Sequence, residues 1–558
     1  MNINANTLLR EHFGFEAFKP GQGQIVQSLL DGHSAAAVFP TGGGKSLCYQ
    51  LPAVVLPGLT LVVSPLIALM KDQIDALAAR GVAARRLDST LTASEARNTA
   101  EAARTGALRL LYVAPERFNN ERFRQLLQQL RVSLFAVDEA HCISEWGHSF
   151  RPDYLKLARF AKAAEAERVL ALTATATPKV LHDICRGFDI APEHAVRTPF
   201  HRPNLKLAFS PTTEAERDAL LLRRLSERPP GPAIVYVTLQ RTAEYVAAFL
   251  EGAGHPARAY HAGLGGEQRA ETQDWFLRSN NAIVAATIAF GMGIDKPNIR
   301  YVYHYNLPKS VENYSQEIGR AGRDGETALC ETLLCLDDLD TLEDFIHRDT
   351  PSASAVTGLT REIFALDEVF EVSLSDLARR HDMRPGTVQI LLTYLELLDY
   401  IEGGSSVYSA YRFKPNLSSR DILASFEGER REFLAGLLRC AQKAKTWFHL
   451  DVDQAAAALN CSRERIIAAL NYLDERNMLD VQANGVRQRF QRLRAPGDVE
   501  ALGQQLHDRT AQRKKRELER LEEVTALIQA EECQAARLCA HFGEEIAPCG
   551  CCAWCSSG

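Results

Sequence analysis

The stretch Phe39-Pro40-Thr41-Gly42-Gly43-Gly44-Lys45-Ser46 constrains this chain more than any other. Three consecutive glycines let the backbone take positive φ and come close to a ligand. The N–H groups of such a loop, at the start of a helix, point at an anion. Lys45 adds a point charge for phosphate oxygens, and Ser46 a hydroxyl for a metal ion. Ser34 to Phe39 read as a short buried strand feeding the loop. The strict phosphate-loop pattern has glycine where Phe39 stands, so the site needs support from the rest of the chain.

That support begins with further apolar runs at Leu61-Val62-Val63, Leu110 to Val113, Leu134 to Val137 and Val169 to Leu172, separated by helical patterns. Strands alternating with helices indicate a parallel sheet covered on both faces, with ligands beyond the carboxyl ends of the strands. One such end is Asp138-Glu139-Ala140-His141. There Asp138 suits a Mg²⁺ ion and Glu139 the polarising of a water. Thr173-Ala174-Thr175-Ala176-Thr177 closes the next strand. It reads either as a cap for the following helix or as a hydroxyl-rich coupler to a second lobe. The loop holding Trp146, Phe150 and Arg151 could stack on bases, or Trp146 could plug the core. Gln22, ahead of the phosphate loop, has an amide able to pair with the N6/N7 edge of adenine.

A second strand series runs through Ala233 to Val237, Ala282 to Thr287 and Ile299 to Tyr303, with the glycine-spaced loop Gly291 to Asp295 between the last two. Arg320 and Arg323 follow, three apart and on one helix face. Guanidinium forks clamp phosphate charge, and this lobe has no Gly-Lys-Ser of its own. It reads as the half that closes over a nucleotide held by the first.

In order along the chain stand Phe-Lys-Pro-Gly-Gln (18–22), Pro-Thr-Gly-Gly-Gly-Lys-Ser-Leu-Cys-Tyr-Gln (40–50) and Ser-Pro-Leu-Ile-Ala-Leu-Met-Lys-Asp-Gln (64–73). Asp-Glu-Ala-His-Cys-Ile-Ser-Glu-Trp-Gly-His-Ser-Phe-Arg-Pro (138–152), Ala-Phe-Gly-Met-Gly-Ile-Asp-Lys-Pro (289–297) and Gln-Glu-Ile-Gly-Arg-Ala-Gly-Arg-Asp-Gly (316–325) follow. Together they resemble the RecQ family of superfamily 2 DNA helicases. The family does not keep the first glycine of the phosphate loop, which accounts for Phe39. The resemblance implies ATP-dependent 3′→5′ unwinding of duplex DNA, in repair and recombination. It implies that Lys19 and Gln22 read adenine, although the family more often has Arg at the position of Lys19. It implies that Thr41, Gly42, Gly43, Gly44, Lys45 and Ser46 hold phosphate and Mg²⁺, with Asp295 lining the nucleotide site. Asp138 and Glu139 become the metal and hydrolysis carboxylates. Gln316, Arg320 and Arg323 face the γ-phosphate, with Arg323 the finger. Trp146, Phe150 and Arg151 couple single-stranded DNA to ATP.

The last third departs from the family order, in which a zinc module often follows the second lobe directly. Here an internal repeat intervenes, offset by about 78 residues: Leu374 to Ile401 matches Val452 to Leu479. Each copy reads as helix, turn, helix and strand, closed by a hairpin signal at Gly403-Gly404 or Asn484-Gly485. This suits two winged-helix units with recognition helices starting near Arg384 and Ser462. Arg384, Arg463, Arg487 and Arg489 are the candidate DNA contacts, and protein docking is the other reading of these units. A long helical pattern from about Val499 carries Arg513-Lys514-Lys515-Arg516, read as an exposed charged face. It delivers Cys533, and Cys549, Cys552 and Cys555 complete a four-thiolate zinc set, with Cys551 and His541 as competing ligands. The Phe542-Gly543-Glu544 turn also resembles the family's zinc module.

The expected fold is α/β, with two RecA-like parallel-sheet lobes (1–205 and 206–349). Mostly α winged-helix units (350–415 and 416–495) and a helical zinc module (496–558) follow. Thirteen cysteines without an evident secretory signal argue for reduced thiols. The net charge of −6 confines any nucleic-acid site to a local patch, and no apolar run is long enough for a membrane span. The expected cofactors are ATP, Mg²⁺ and Zn²⁺. The expected partners are single-stranded and duplex DNA, for a monomeric chain in the cytoplasm, on the nucleoid in a bacterium. An HRDC-type module is not expected. The competing functions are an RNA helicase, a translocase that does not unwind, and a DNA-binding regulator with a vestigial ATPase.

Overall fold

The computed structural model describes all residues except 1–3, 66, 89–90, 145–150, 292–293, 445–446 and 558. Contacts divide the chain into two units. Residues 1–118, 123–350 and 509–558 form one, and residues 119–122 with 351–508 form the other.

The first unit opens with seven strands: β1 (Ala35–Val38), β2 (Leu59–Val63), β3 (Ala84–Leu87), β4 (Leu110–Val113), β5 (Val132–Val137), β6 (Val169–Thr173) and β7 (Ala195–Arg197). They form one parallel sheet in the order β3-β4-β2-β5-β6-β1-β7. Both faces are buried, and side chains alternate between two cores. Leu134 and Ala136 join one, Phe135 and Val137 the other. The edge strands β3 and β7 carry exposed or half-exposed arginines rather than apolar runs, so their sequences give no strand signal. The order places β5, β6 and β1 side by side. Their carboxyl ends bring Asp138, Thr173 and the loop after Val38 to one edge, although the three lie far apart in sequence. The Phe39 N–H donates to the Thr173 carbonyl at 3.1 Å.

The second lobe contains β8 (Leu205–Pro211), β9 (Ala233–Tyr236), β10 (Ala257–Tyr260), β11 (Ile283–Ala286), β12 (Tyr301–His304) and β13 (Ala328–Leu334). They form a parallel sheet in the order β10-β11-β9-β12-β13-β8. Its core continues into the C-terminal segment: Leu521, Val524, Leu527, Leu538, Phe542 and Cys552 share one cluster with Ile234, Val284 and Val302. Residues 509–558 therefore fold onto the second lobe despite lying more than 150 residues beyond it.

The second unit is built on the internal repeat. Its strands are β14 (Val369–Val372), β15 (Ile401–Pro415), β16 (Gln442–Lys443), β17 (Phe448–Asp451) and β18 (Leu479–Arg492). The helix pair Leu374–Arg380 and Pro385–Leu397 recurs as Val452–Leu459 and Arg463–Glu475. The expected hairpins are absent among the described residues. Gly403-Gly404 lies inside β15 and Asn484-Gly485 inside β18, and these two strands pair antiparallel with each other almost end to end, in the sheet β14-β18-β15-β17-β16. Each copy thus gives its last strand to a shared ribbon. The register is centred on Tyr408 opposite Val486, residues that are themselves one repeat apart. The glycine pair marks a β-bulge, with the register shifting between Gly403 and Ser406. Gly485 supplies a φ of +64°, and the Ser409 hydroxyl donates to its carbonyl at 2.9 Å.

Candidate functional site

The phosphate loop leaves β1 and enters the helix Leu47–Val55, for which Ser46 is the N-cap residue. Gly42 and Gly44 hold φ of +83° and +73°, a conformation that favours glycine. Gly43 is needed for a different reason: a Cβ there would lie 2.9 Å from the Pro40 carbonyl oxygen and 3.1 Å from Phe39 Cβ. Lys19 Nζ donates to the Gly42 carbonyl at 2.9 Å. Gln22 Nε2 donates to the carbonyls of Gly43 and Gly44 at 3.2 and 2.8 Å, while its Oε1 accepts the Lys19 N–H at 2.9 Å. Both candidate adenine readers thus hold the loop itself. Lys45 Nζ lies 3.4 Å from the Phe39 carbonyl. The Phe39 ring is buried and fills the space against Gly21, whose Cβ would stand 2.8 Å from it. It occupies, as core, the position where the strict pattern has glycine.

At the end of β5, Asp138 is buried, with one carboxylate oxygen accepting the Glu139 N–H at 3.0 Å. Burial, and then the adjacent Glu139, push its carboxyl up to about 7 against the pull of Lys45. Glu139 takes the left-handed conformation, φ +51°, unusual for a residue with a side chain. Its Oε2 lies 3.3 Å from His141 Nδ1, and that nitrogen is 2.8 Å from Thr173 Oγ1. Burial pushes the His141 imidazole down to about 3, so it is neutral. Thr173 Oγ1 in turn donates to the Thr175 carbonyl at 3.2 Å, and Gln316 Nε2 reaches Thr175 Oγ1 at 3.1 Å from the second lobe. A chain of short contacts therefore joins Glu139 to the helix Val311–Ile318. Thr177 caps the helix Pro178–Phe188, as one reading of the threonine run expects, while Thr175 is its contact with the second lobe.

The helix Val311–Ile318 ends before either arginine, so Arg320 and Arg323 lie in the turn that follows rather than on one helix face, and the two differ. Arg320 is buried in the second lobe, and its guanidinium donates to the Gly291 carbonyl. Arg323 extends over the phosphate loop: its Cγ lies 3.6 Å from the position of a Cβ on Gly42. Its guanidinium donates to the Ile294 carbonyl at 2.9 Å and to Asp295 at 3.0 Å. Asp295 is thus an exposed anchor for Arg323. One residue outside the motifs also belongs here. Arg202, in the connection between the lobes, donates to the carbonyls of Gly319, Ala321 and Gly322 at 3.2, 2.9 and 2.6 Å. No spacing in the sequence marks it, because its partners are backbone carbonyls more than 100 positions away.

Of the candidate DNA contacts, Trp146 and Phe150 lie outside the described residues. Arg151 precedes the helix Pro152–Leu155 and is half-buried. Arg384 stands exposed at the N-cap of the helix Pro385–Leu397. Arg463 is committed to Asp453 at 2.6 Å and the Tyr408 carbonyl at 3.2 Å, which fixes its helix to the ribbon. Arg487 and Arg489 lie on β18, the latter exposed.

The sulfurs of Cys533, Cys549, Cys552 and Cys555 lie within 4.8 Å of one another. Cys533 and Cys552 are 3.9 Å apart, close to the edge of a tetrahedron with Zn–S bonds of about 2.3 Å. N–H groups of Ala536 and Cys549 point at the Cys533 sulfur, and those of Cys551 and Cys552 at the Cys549 sulfur, as thiolate ligands require. The competitors point elsewhere. Cys551 Sγ lies 3.8 Å from the Pro203 carbonyl, and His541 pairs with Glu312 at 3.1 Å. The donor set fits zinc. The hard oxygens of Ser46 and Asp138 beside the phosphate loop fit Mg²⁺.

Two parallel-sheet lobes, with a phosphate loop on one and an arginine of the other, Arg323, extending over it, define a nucleotide-driven motor of the two-lobe helicase class. Family comparison agrees. Residues 19–184 match the DEAD/DEAH box helicase family, 216–325 the helicase conserved C-terminal domain, and 496–556 the RecQ zinc-binding family. The chain is 39% identical over 458 residues to the probable ATP-dependent DNA helicase RecS of Bacillus subtilis (strain 168), covering 81% of this chain and 90% of RecS. It is 41% identical over 337 residues to the ATP-dependent DNA helicase RecQ of the same organism, covering 60% of this chain and 57% of that one. Among solved structures, Mss116p bound to ssRNA and AMP-PNP shares the fold, at 16% identity and a TM-score of 0.50, over 71% of this chain and 91% of that one. The chain belongs to the RecQ family of ATP-dependent DNA helicases.

Proposed function

We propose that this chain unwinds duplex DNA in the 3′→5′ direction, coupled to ATP hydrolysis, in DNA repair and recombination. The observation that carries the reading is the split site: Arg323 of the second lobe covers Gly42 of the first, and Gln316 bonds Thr175 at 3.1 Å. A nucleotide between the lobes would be gripped by residues whose positions depend on both, which is how hydrolysis can drive relative movement. In this reading Lys45 and the loop amides bind the phosphates, and Lys19 and Gln22 give up loop carbonyls to read adenine. Glu139 orients the attacking water, with neutral His141, itself held by Thr173, beside its carboxylate. Arg320 and Arg323 stabilise charge on the transferred phosphoryl group. Bound Mg²⁺ supplies Lewis-acid charge beside Asp138 and Ser46, and bound Zn²⁺ fixes the four-cysteine module. The repeat unit grips DNA through Arg384, Arg487 and Arg489, with the aromatic loop at Trp146, Phe150 and Arg151 sensing the single strand.

The test is strand displacement with ATP on duplexes carrying a 3′ tail, a 5′ tail or an RNA tail. Unwinding only of the 3′-tailed DNA, lost in Lys45→Ala, supports the reading. Preference for a 5′ tail, or ATP hydrolysis stimulated equally by RNA, refutes it.

A further inference from the structure

The connection from β7 to β8 joins the two lobes, and the C-terminal module grips it. Glu544 accepts the N–H groups of both Phe200 and His201 on one carboxylate oxygen, the latter at 3.1 Å. The Phe542 ring stacks on Phe200 with centroids 4.1 Å apart. The Phe542 carbonyl accepts from Arg197, the last residue of β7. Gly543, at φ +76°, lets the turn pass close to the first lobe, where a Cβ would meet Pro178 Cγ at 2.8 Å. On its other side the module shares the core of the second lobe, and His541 pairs with Glu312 on the helix Val311–Ile318. The Phe542-Gly543-Glu544 turn therefore touches both lobes and the segment joining them.

One residue beyond His201, Arg202 spans three carbonyls of the segment that carries Arg320 and leads into Arg323. Asn204 adds bonds to the Gly322 and Glu326 carbonyls at 2.8 and 2.9 Å. The clamp on residues 200–201 and the grip on residues 319–322 are thus adjacent along one short stretch of backbone. Carbonyl groups bonded to a guanidinium cannot rotate freely, so the arginine segment takes its position from this stretch.

We infer that Glu544 and Arg202 are positioning residues for ATP hydrolysis. The zinc module's turn fixes the connection between the lobes, and Arg202 transmits that position to Arg320 and Arg323. Among the described residues neither side chain makes a hydrogen bond to residues 39–46 of the nucleotide loop, so their effect falls on turnover rather than on nucleotide affinity. This rests on the reading of Arg323 as a catalytic arginine.

The experiment uses the full chain with Glu544→Ala, Glu544→Gln, Arg202→Lys and, as reference, Arg323→Ala. Zinc content, the thermal midpoint, and kcat and KM for ATP at saturating single-stranded DNA are measured. Glu544→Ala and Arg202→Lys are expected to lower kcat by about tenfold to a hundredfold, the scale of misplaced catalytic groups, with KM changed less than about twofold. Glu544→Gln keeps an acceptor oxygen and is expected to recover part of the loss. Zinc should stay stoichiometric in all four. Wild-type kcat in Glu544→Ala and Arg202→Lys, with Arg323→Ala impaired, overturns the inference alone. An active Arg323→Ala overturns the reading of the arginine beneath it. Loss of zinc or of the folded state in Glu544→Ala also overturns it, since the turn would then serve only to fold its module.

Discussion

Restoring the glycine of the strict phosphate-loop pattern, Phe39→Gly, should damage this protein. Phe39 continues the series Ala35 and Ala37 on one face of the sheet, and its ring is buried in a core with Ile25, Cys48, Tyr49 and Leu172. Its φ is not in the left-handed region, so glycine relieves no strain. Removing a buried phenyl ring costs about 3–5 kcal/mol through lost transfer energy and the cavity left behind. The gain in unfolded-chain freedom adds about 0.5–1 kcal/mol. For a lobe of this size each kcal/mol moves the melting midpoint by roughly 2–4 °C, so its transition should fall by on the order of 10–20 °C. The same ring backs Gly21, the N-cap of the helix that starts with Gln22, and Gln22 holds Gly43 and Gly44. Loosening it should therefore also raise the KM for ATP, by roughly tenfold if about 1.4 kcal/mol of loop organisation is lost. Calorimetry and steady-state ATPase assays of the wild type, Phe39→Ala and Phe39→Gly measure both. A first-lobe transition within about 2 °C of wild type, or tighter ATP binding in Phe39→Gly, would refute the reasoning.

Arg323→Ala should reduce ATPase kcat by on the order of 10³-fold with ATP binding retained, measured by single-turnover hydrolysis; loss of binding alone would show that the arginine is only a phosphate anchor. Gly43→Ala forces a Cβ to 2.9 Å from the Pro40 carbonyl and should abolish nucleotide binding in a fluorescent-nucleotide titration, with the second lobe still folded. Cys552→Ser, or stripping zinc with a chelator, should release one zinc per chain. It should lower the melting midpoint of the second lobe, because Cys552 and Phe542 belong to that lobe's core.

The first lobe was legible because parallel strands are buried on both faces and read as apolar runs, and because the chemistry sits at their carboxyl ends. The edge strands were not, since Ala84–Leu87 and Ala195–Arg197 are short and carry arginines. The candidate nucleotide residues were legible as types. Their present bonds were not: Gln22 presents the donor and acceptor of an adenine reader, yet both atoms are engaged with the loop and with Lys19. Arg202 and Glu544 were invisible because backbone amides and carbonyls, which every residue has, are what they recognise.

The repeat unit shows a more specific limit. Gly403-Gly404 and Asn484-Gly485 carry the local chemistry of a hairpin turn, but a glycine inside a strand serves equally as a bulge. Deciding between them requires knowing what each strand pairs with, and β15 pairs with a strand 78 residues away. The bulge also has a consequence that parity makes plain. On β18, Leu479 and Phe490 are eleven positions apart, so without a bulge on that strand they face opposite sides of the ribbon. Leu479 joins the core of the second copy with Tyr411 and Phe413, while Phe490 stacks on Phe370 of the first, at 5.6 Å. On β15, Ile401 pairs beside Phe490 and Phe413 packs in the second core, twelve positions apart, and the extra residue at the bulge lets these two also face opposite ways. One inserted residue thus lets a single ribbon carry a helical copy on each face. A deletion of Gly404 should flip one half out of register and unfold that copy, whereas a deletion in a true hairpin turn would only shorten it. Far-ultraviolet circular dichroism and proteolysis of the deletion variant separate the two outcomes. A variant that keeps its helix content and resists protease would show that the bulge is dispensable and that the repeat does not depend on this register.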